Sequence, residues 1–119
     1  MSNSGNEPRR YAHICGWGTA MPQKVLSNKE LARKVDTDDE WIVARTGISQ
    51  RFIASGHETT ATLGTGAARE ALDIADIAPD DIDLIIVATC TPEHNFPSTA
   101  SLVQDALGAR NAGAFDVGA

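Results

Sequence analysis

The chain has few cysteines, no excess of positive charge and no apolar leader, and each shortage removes a class of protein. Only Cys15 and Cys90 occur among 119 residues. They are far apart and follow no secretory signal, so a disulfide framework is excluded, and a reducing cytoplasm is expected with both thiols packed as small apolar groups. Ten Lys and Arg stand against 16 Asp and Glu, a formal charge of −6, which leaves no clustered cations to displace counterions from a nucleic acid. Residues 1–10 are polar and lack the apolar core of a signal peptide or membrane anchor. Arg9-Arg10 precedes a short stretch that contains His13 and has no cleavage pattern, unlike a twin-arginine signal. We expect a disordered tail over 1–10 and one folded unit over 11–119. No internal repeat, low-complexity tract or linker marks a domain boundary.

What is present is an ordinary globular composition, 42% hydrophobic and 22% charged. Glu70, Asp73, Asp76, Asp80, Asp81 and Asp83 follow one another without an intervening cation. Lacking the Gly and terminal Glu of a calcium loop, they read as a solvated helix face and turn. Ala12–Met21 reads as a first strand, with Gly16 and Gly18 permitting close backbone approach and Pro22 ending it. Asn28 is placed to cap a helix through Val35. Thr37 and Glu40 have capping-box spacing for a second helix, with Gly47 as its left-handed terminator. An extended piece spans 48–54. A main helix over Thr60–Ala75 carries the stripe Leu63, Ala67, Ala71, Ile74. Its Gly64 and Gly66 cost roughly 1 kcal/mol each, which close packing against another backbone would offset. A turn at 79–83 leads to Leu84–Ala88, an apolar run expected of a strand buried on both faces. Ser98 caps a last helix ending near Gly108, and Ala114–Val117 is a third strand. Helices alternating with apolar strands indicate an α/β fold.

Trp41 and Arg45, four apart on the second helix, set an aromatic plane beside a guanidinium on one face. The pair suits an adenine nucleotide: the indole stacks on the purine and the planar fork binds phosphate. A surface helix packed on the core, with an exposed arginine, explains the same spacing. Phe96 follows a loop that begins Thr89-Cys90-Thr91-Pro92, and a Phe before Pro commonly belongs to a core. Cys90 and His94 could pair as nucleophile and base, but no orienting group or oxyanion site accompanies them. Together with His13 and Cys15 they could make a four-ligand zinc site, at spacings unlike those of known fingers. His57 reads as an exposed loop residue.

Three segments in this order carry a resemblance: Asp36-Thr37-Asp38-Asp39-Glu40-Trp41-Ile42-Val43-Ala44-Arg45-Thr46-Gly47, then Phe96-Pro97-Ser98, then Phe115-Asp116-Val117-Gly118-Ala119. From about Ile14 to Ala119 the chain resembles the N-terminal part of the β-ketoacyl-acyl carrier protein synthases III, condensing enzymes of the thiolase-like fold. The resemblance implies a five-layer αβαβα architecture of two similar halves, of which residues 11–119 make an incomplete first half with three strands. It implies that Trp41 stacks on the adenine of coenzyme A, with Arg45 beside it and Thr37 at the nucleotide end. The capping box offers Thr37 a purely structural role. Phe96 would reach across a homodimer to limit the partner's acyl pocket.

In that family a nucleophilic Cys follows the Phe-Asp-Val segment, at the N-terminus of a buried helix that favours the thiolate. It is expected two residues beyond Ala119, with the catalytic His and Asn further downstream, so none of the three lies in this chain. The implied substrates are a short acyl-CoA, needing no separate cofactor or metal, and malonyl-acyl carrier protein, condensed to start fatty-acid synthesis. A polyketide or quinolone-type condensing enzyme is the neighbouring alternative. A noncatalytic dimerisation or zinc-binding module is the alternative from another class.

Overall fold

The computed structural model describes residues 11–118; the tail expected over 1–10, and Ala119, lie outside the described residues. Four short strands form two separate two-stranded sheets. β1 (Lys24–Ser27) pairs antiparallel with β2 (Gln50–Ile53), Lys24 opposite Ile53 and Ser27 opposite Gln50. Two helices fill the connection, α1 (Asn28–Leu31) and α2 (Asp39–Thr46). After α3 (Thr60–Ala75) and a 3₁₀ turn at Pro79–Asp81 comes β3 (Leu84–Ala88). α4 (Thr99–Leu107) crosses over to β4 (Gly113–Val117), which runs parallel to β3 with Leu84 opposite Gly113. α4 packs on this parallel pair and against α3.

Local chemistry sets the helix limits. Thr59 caps α3, its hydroxyl accepting the Thr62 N–H, and Asp76 closes it in the left-handed region at φ 54°. Asp tolerates that region because its short side chain can bond locally. Ser98 caps α4, and Gly108 ends it at φ 76°. α3 buries Ala61 and Thr65, and α4 buries Thr99, Ala100 and Val103. The Gly64 and Gly66 expectation is modified: a Cβ at Gly64 would sit 3.6 Å from a Val103 methyl, and one at Gly66 3.3 Å from Ala20 Cβ. These helical glycines therefore face side chains rather than another backbone.

The close backbone approach lies elsewhere. A Cβ on Gly16 or Gly18 would strike the carbonyl oxygens of Ala71 and Ala67 on α3. The segment expected as a first strand is thus an unpaired extended stretch laid along α3, and Thr19 N–H donates to Glu70 Oε2 at 2.7 Å. A groove of about 330 Å³, with Cys15, Gly16, Ala71, Ile85 and Val103 among its lining residues, accompanies this arrangement.

Four other expectations change. The helix at Asn28 is a single turn capped by Ser27, whose hydroxyl accepts Glu30 N–H while Glu30 Oε2 accepts Ser27 N–H. Val35, expected as the end of that helix, lies beyond it and is exposed, as is Ile74 of the α3 stripe. β3 is not covered on both faces: Leu84 and Ile86 are exposed together with Phe115 and Val117 of β4, while α4 packs on the pair. Cys15 and Cys90 are both exposed rather than packed. The six acidic residues from Glu70 to Asp83 are exposed, as expected.

Candidate functional site

α2 is held by its polar ends, since Ile42 is its one buried residue. The Asp38 carboxylate caps it, accepting Trp41 N–H at 2.7 Å. Gly47 ends it at φ 71°, donating its N–H to Val43 O. Thr37 is therefore not the cap. The register is shifted by one residue, since an ionised carboxylate is a stronger acceptor than a hydroxyl. Thr37 Oγ1 is left buried and without a hydrogen-bond partner among the described residues.

The placement of α2 depends on Asn28, which is only 1% exposed. Its Nδ2 donates to Asp39 Oδ1 and to Ile48 O, both at 2.7 Å, so one amide spans the first residue of α2 and the residue after its terminator. Its Oδ1 accepts from Arg51 Nη2 of β2, again at 2.7 Å. The amide is thus fully engaged by groups 11, 20 and 23 residues away. A buried polar side chain requires such partners. Its residue type had suggested a helix cap, while its long-range role depends on contacts invisible to local spacing.

On this anchored helix, Trp41 is 54% exposed, and the Arg45 guanidinium carbon lies 4.9 Å from the ring centroid. That is a cation–π contact, and it keeps a large aromatic surface and a fixed positive charge together at the surface. Asp36, Thr37, Asp38 and Trp41 line a shallow cavity of about 250 Å³ beside the ring. Carboxylates on that side repel phosphate, whereas Arg45 one turn along the helix attracts it. The arrangement can take a flat aromatic group and an anionic chain side by side.

Phe96 lies in the β3–α4 connection, 91% exposed. It belongs to no core. The connection is tied at several points. Thr89 N–H donates to Val117 O at 3.2 Å. Thr60 Oγ1 donates to Thr91 O at 2.9 Å, and Ala61 N–H donates to Glu93 Oε1 at 2.7 Å. Thr99 and Ala100 N–H groups donate to the two oxygens of Asp116, each at 2.7 Å. Burial alone would raise the Asp116 pKa, but hydrogen bonds from Ala100 and Thr99 outweigh it and hold the carboxyl below its ordinary value. Hydrogen bonds from Thr59 and Ala61 likewise lower that of Glu93. Sequence reasoning gave neither residue a job. The available signal was a charged residue on the covered face of a strand, where Asp116 alternates with exposed Phe115 and Val117.

No group of three or more His, Cys, Asp or Glu able to hold a metal occurs among the described residues, so His13, Cys15, Cys90 and His94 do not assemble as a four-ligand site there. His57 is exposed in its loop, as expected. No described helix is long and apolar enough to cross a membrane.

No protein-family model matches the chain. Individual proteins do. The chain is 60% identical over 104 residues to β-ketoacyl-acyl-carrier-protein synthase III of Sinorhizobium medicae, a span of 87% of this chain and 32% of that protein. It is 56% identical over 108 residues to the synthase III of Rhizorhabdus wittichii, covering 91% of this chain and 34% of the relative. Among solved structures it is similar to the 3-oxoacyl-acyl-carrier-protein synthase III of Aquifex aeolicus, at TM-score 0.85 and 51% identity over 89% of this chain and 34% of that one. It is also similar to the priming β-ketosynthase of the R1128 polyketide pathway, at TM-score 0.89 and 40% identity over 93% of this chain and 33% of that one.

The fold is thus a thiolase-like α/β unit, and the chain spans about a third of the length of the relatives it matches. Over that third, its sequence and fold are similar to those of the β-ketoacyl-acyl-carrier-protein synthases III.

Proposed function

We propose that this chain forms the coenzyme A mouth of a β-ketoacyl-acyl carrier protein synthase III, an acyltransferase that condenses a short acyl-CoA with malonyl-acyl carrier protein to begin fatty-acid synthesis in the cytoplasm. The observation that carries this reading is the exposed Trp41–Arg45 pair on a helix pinned at both ends, within a chain 60% identical to such a synthase. Trp41 stacks on the adenine, Arg45 binds the phosphates, and Thr37 stands at the nucleotide end. Phe96, exposed on its tethered loop, reaches the partner of a homodimer and limits the acyl chain there.

In this reading a cysteine outside residues 11–118 is the nucleophile. Its thiolate adds to the acyl-CoA carbonyl and expels the CoA thiolate, forming an acyl-enzyme. Malonyl-acyl carrier protein loses carbon dioxide; the resulting carbanion attacks the acyl-enzyme carbonyl and releases the cysteine thiolate. A His and an Asn, also outside those residues, stabilise the carbanion. Cys15 lies in the extended stretch and Cys90 in the loop after β3, neither at a helix N-terminus that would favour a thiolate. On this reading residues 11–118 form no acyl-enzyme by themselves. Intact mass spectrometry after incubation with labelled acetyl-CoA tests this, with no adduct expected. A stoichiometric, hydroxylamine-labile acetyl group on Cys90 would overturn the assignment.

A second reading, the priming synthase of a polyketide pathway, is favoured by the TM-score of 0.89 to the R1128 enzyme. The acyl donors and carrier protein used by the full-length protein separate the two.

A further inference from the structure

We infer that Glu93 is a positioning residue that sets where the Phe96 ring stands, and thereby which acyl chain lengths are accepted. The inference rests on the proposed role of Phe96 in the acyl pocket.

Within its own chain Phe96 has almost no packing, being 91% exposed, so the backbone of residues 89–98 determines where its ring is presented. Both ends of that loop are tied to the last residues of β4. Thr89 bonds to Val117 at the start, and Asp116 takes the Thr99 and Ala100 N–H groups at the finish. These ties do not reach the middle of the loop. Its restraint is the start of α3, through the Thr60 hydroxyl on Thr91 O and the Ala61 N–H on Glu93 Oε1. Glu93 stands three residues before Phe96, nearer than any other of these anchors on that side. Its carboxylate also meets the N-terminus of a 16-residue helix, where the dipole favours a negative charge. Loss of this tie releases the arm that carries the ring, and ring placement is what a length-limiting contact depends on.

The test uses the full-length protein and compares kcat/KM for acetyl-CoA with that for hexanoyl-CoA. Phe96→Ala is expected to shift the ratio toward the longer donor. Glu93→Ala should shift it in the same direction by roughly two- to tenfold, the scale of one hydrogen bond, and Glu93→Gln, which keeps an acceptor, should restore most of it. Glu93→Ala added to Phe96→Ala should change the ratio no further, because the two act through one ring. An unchanged ratio in Glu93→Ala, where Phe96→Ala shifts it, overturns the inference alone. An unchanged ratio in Phe96→Ala overturns the acyl-pocket reading and the inference with it. If Glu93→Ala does not fold, Thr60→Val removes the neighbouring tie and must shift the ratio in the same direction; no shift there counts against the inference.

Discussion

Replacing Asn28 by Ala should loosen α2 while leaving α4 intact. The substitution removes two donations and one acceptance, each 2.7 Å long. A neutral bond to a carbonyl such as Ile48 O contributes about 1 kcal/mol, and bonds to charged partners about 1.5–3 kcal/mol each. Asp39 is exposed and Arg51 half-buried, so both recover water once released, and their share falls toward the lower end. The Ile48 carbonyl loses its side-chain partner. A net loss of about 2–4 kcal/mol follows, which is roughly 30- to several-hundred-fold in a local opening equilibrium. Amide exchange read by mass spectrometry measures it directly. The Ile42 and Gly47 N–H groups, bonded to Asp38 O and Val43 O, should exchange faster by that factor. Leu102 and Gly108 of α4 serve as the reference and should not change. Protection of residues 39–47 equal to that of the unsubstituted protein would refute the idea that this amide holds the helix.

Trp41→Ala in the full-length protein should raise KM for acyl-CoA much more than it lowers kcat, since a stack remote from the reacting carbon holds ground and transition states alike; unchanged saturation curves would remove Trp41 from the site. Arg45→Lys should also weaken acyl-CoA binding, because a point charge does not reproduce a planar fork, and equal affinity would count against a phosphate role. Gly18→Ala should lift the extended stretch from α3, costing about 1–3 kcal/mol, and exchange at Thr19 N–H should rise; a stable Ala variant with Thr19 still protected would contradict the packing. Asp116 has a folded pKa below its unfolded one, so its contribution is present above the unfolded value and disappears as pH falls through the folded value. Asp116→Asn should therefore flatten the acid limb of the stability profile, and a limb parallel to the original would show that this carboxylate is not coupled to folding.

Features written within a few neighbouring residues were legible before the structure. Thr60–Ala75 forms the helix that its period implies, though Ile74 of the stripe is exposed, and the glycines at 47 and 108 stand as stops. The Thr37 cap failed by a single residue, because Asp38 offers the backbone a charged acceptor and spacing rules do not rank acceptors. β1 escaped notice because four residues, Lys24–Ser27, show too little alternation, and their partner lies beyond two helices. Two glycines that weaken a strand also let a chain lie on a helix, and only the Ala67 and Ala71 carbonyls beneath them decide between these outcomes. The continuous apolar run of β3 implied cover on both faces, but a run of this kind cannot say where the cover comes from. Asp116 best separates recognition from explanation. It was part of a motif that pointed to the family, yet its physical work, holding the first turn of α4 beneath the Phe96 loop, emerged only from two distances of 2.7 Å. Trp41 and Arg45 differ in this respect. Their chemistry could be read from residue type and spacing alone, since neighbours four apart on a helix meet wherever that helix is placed.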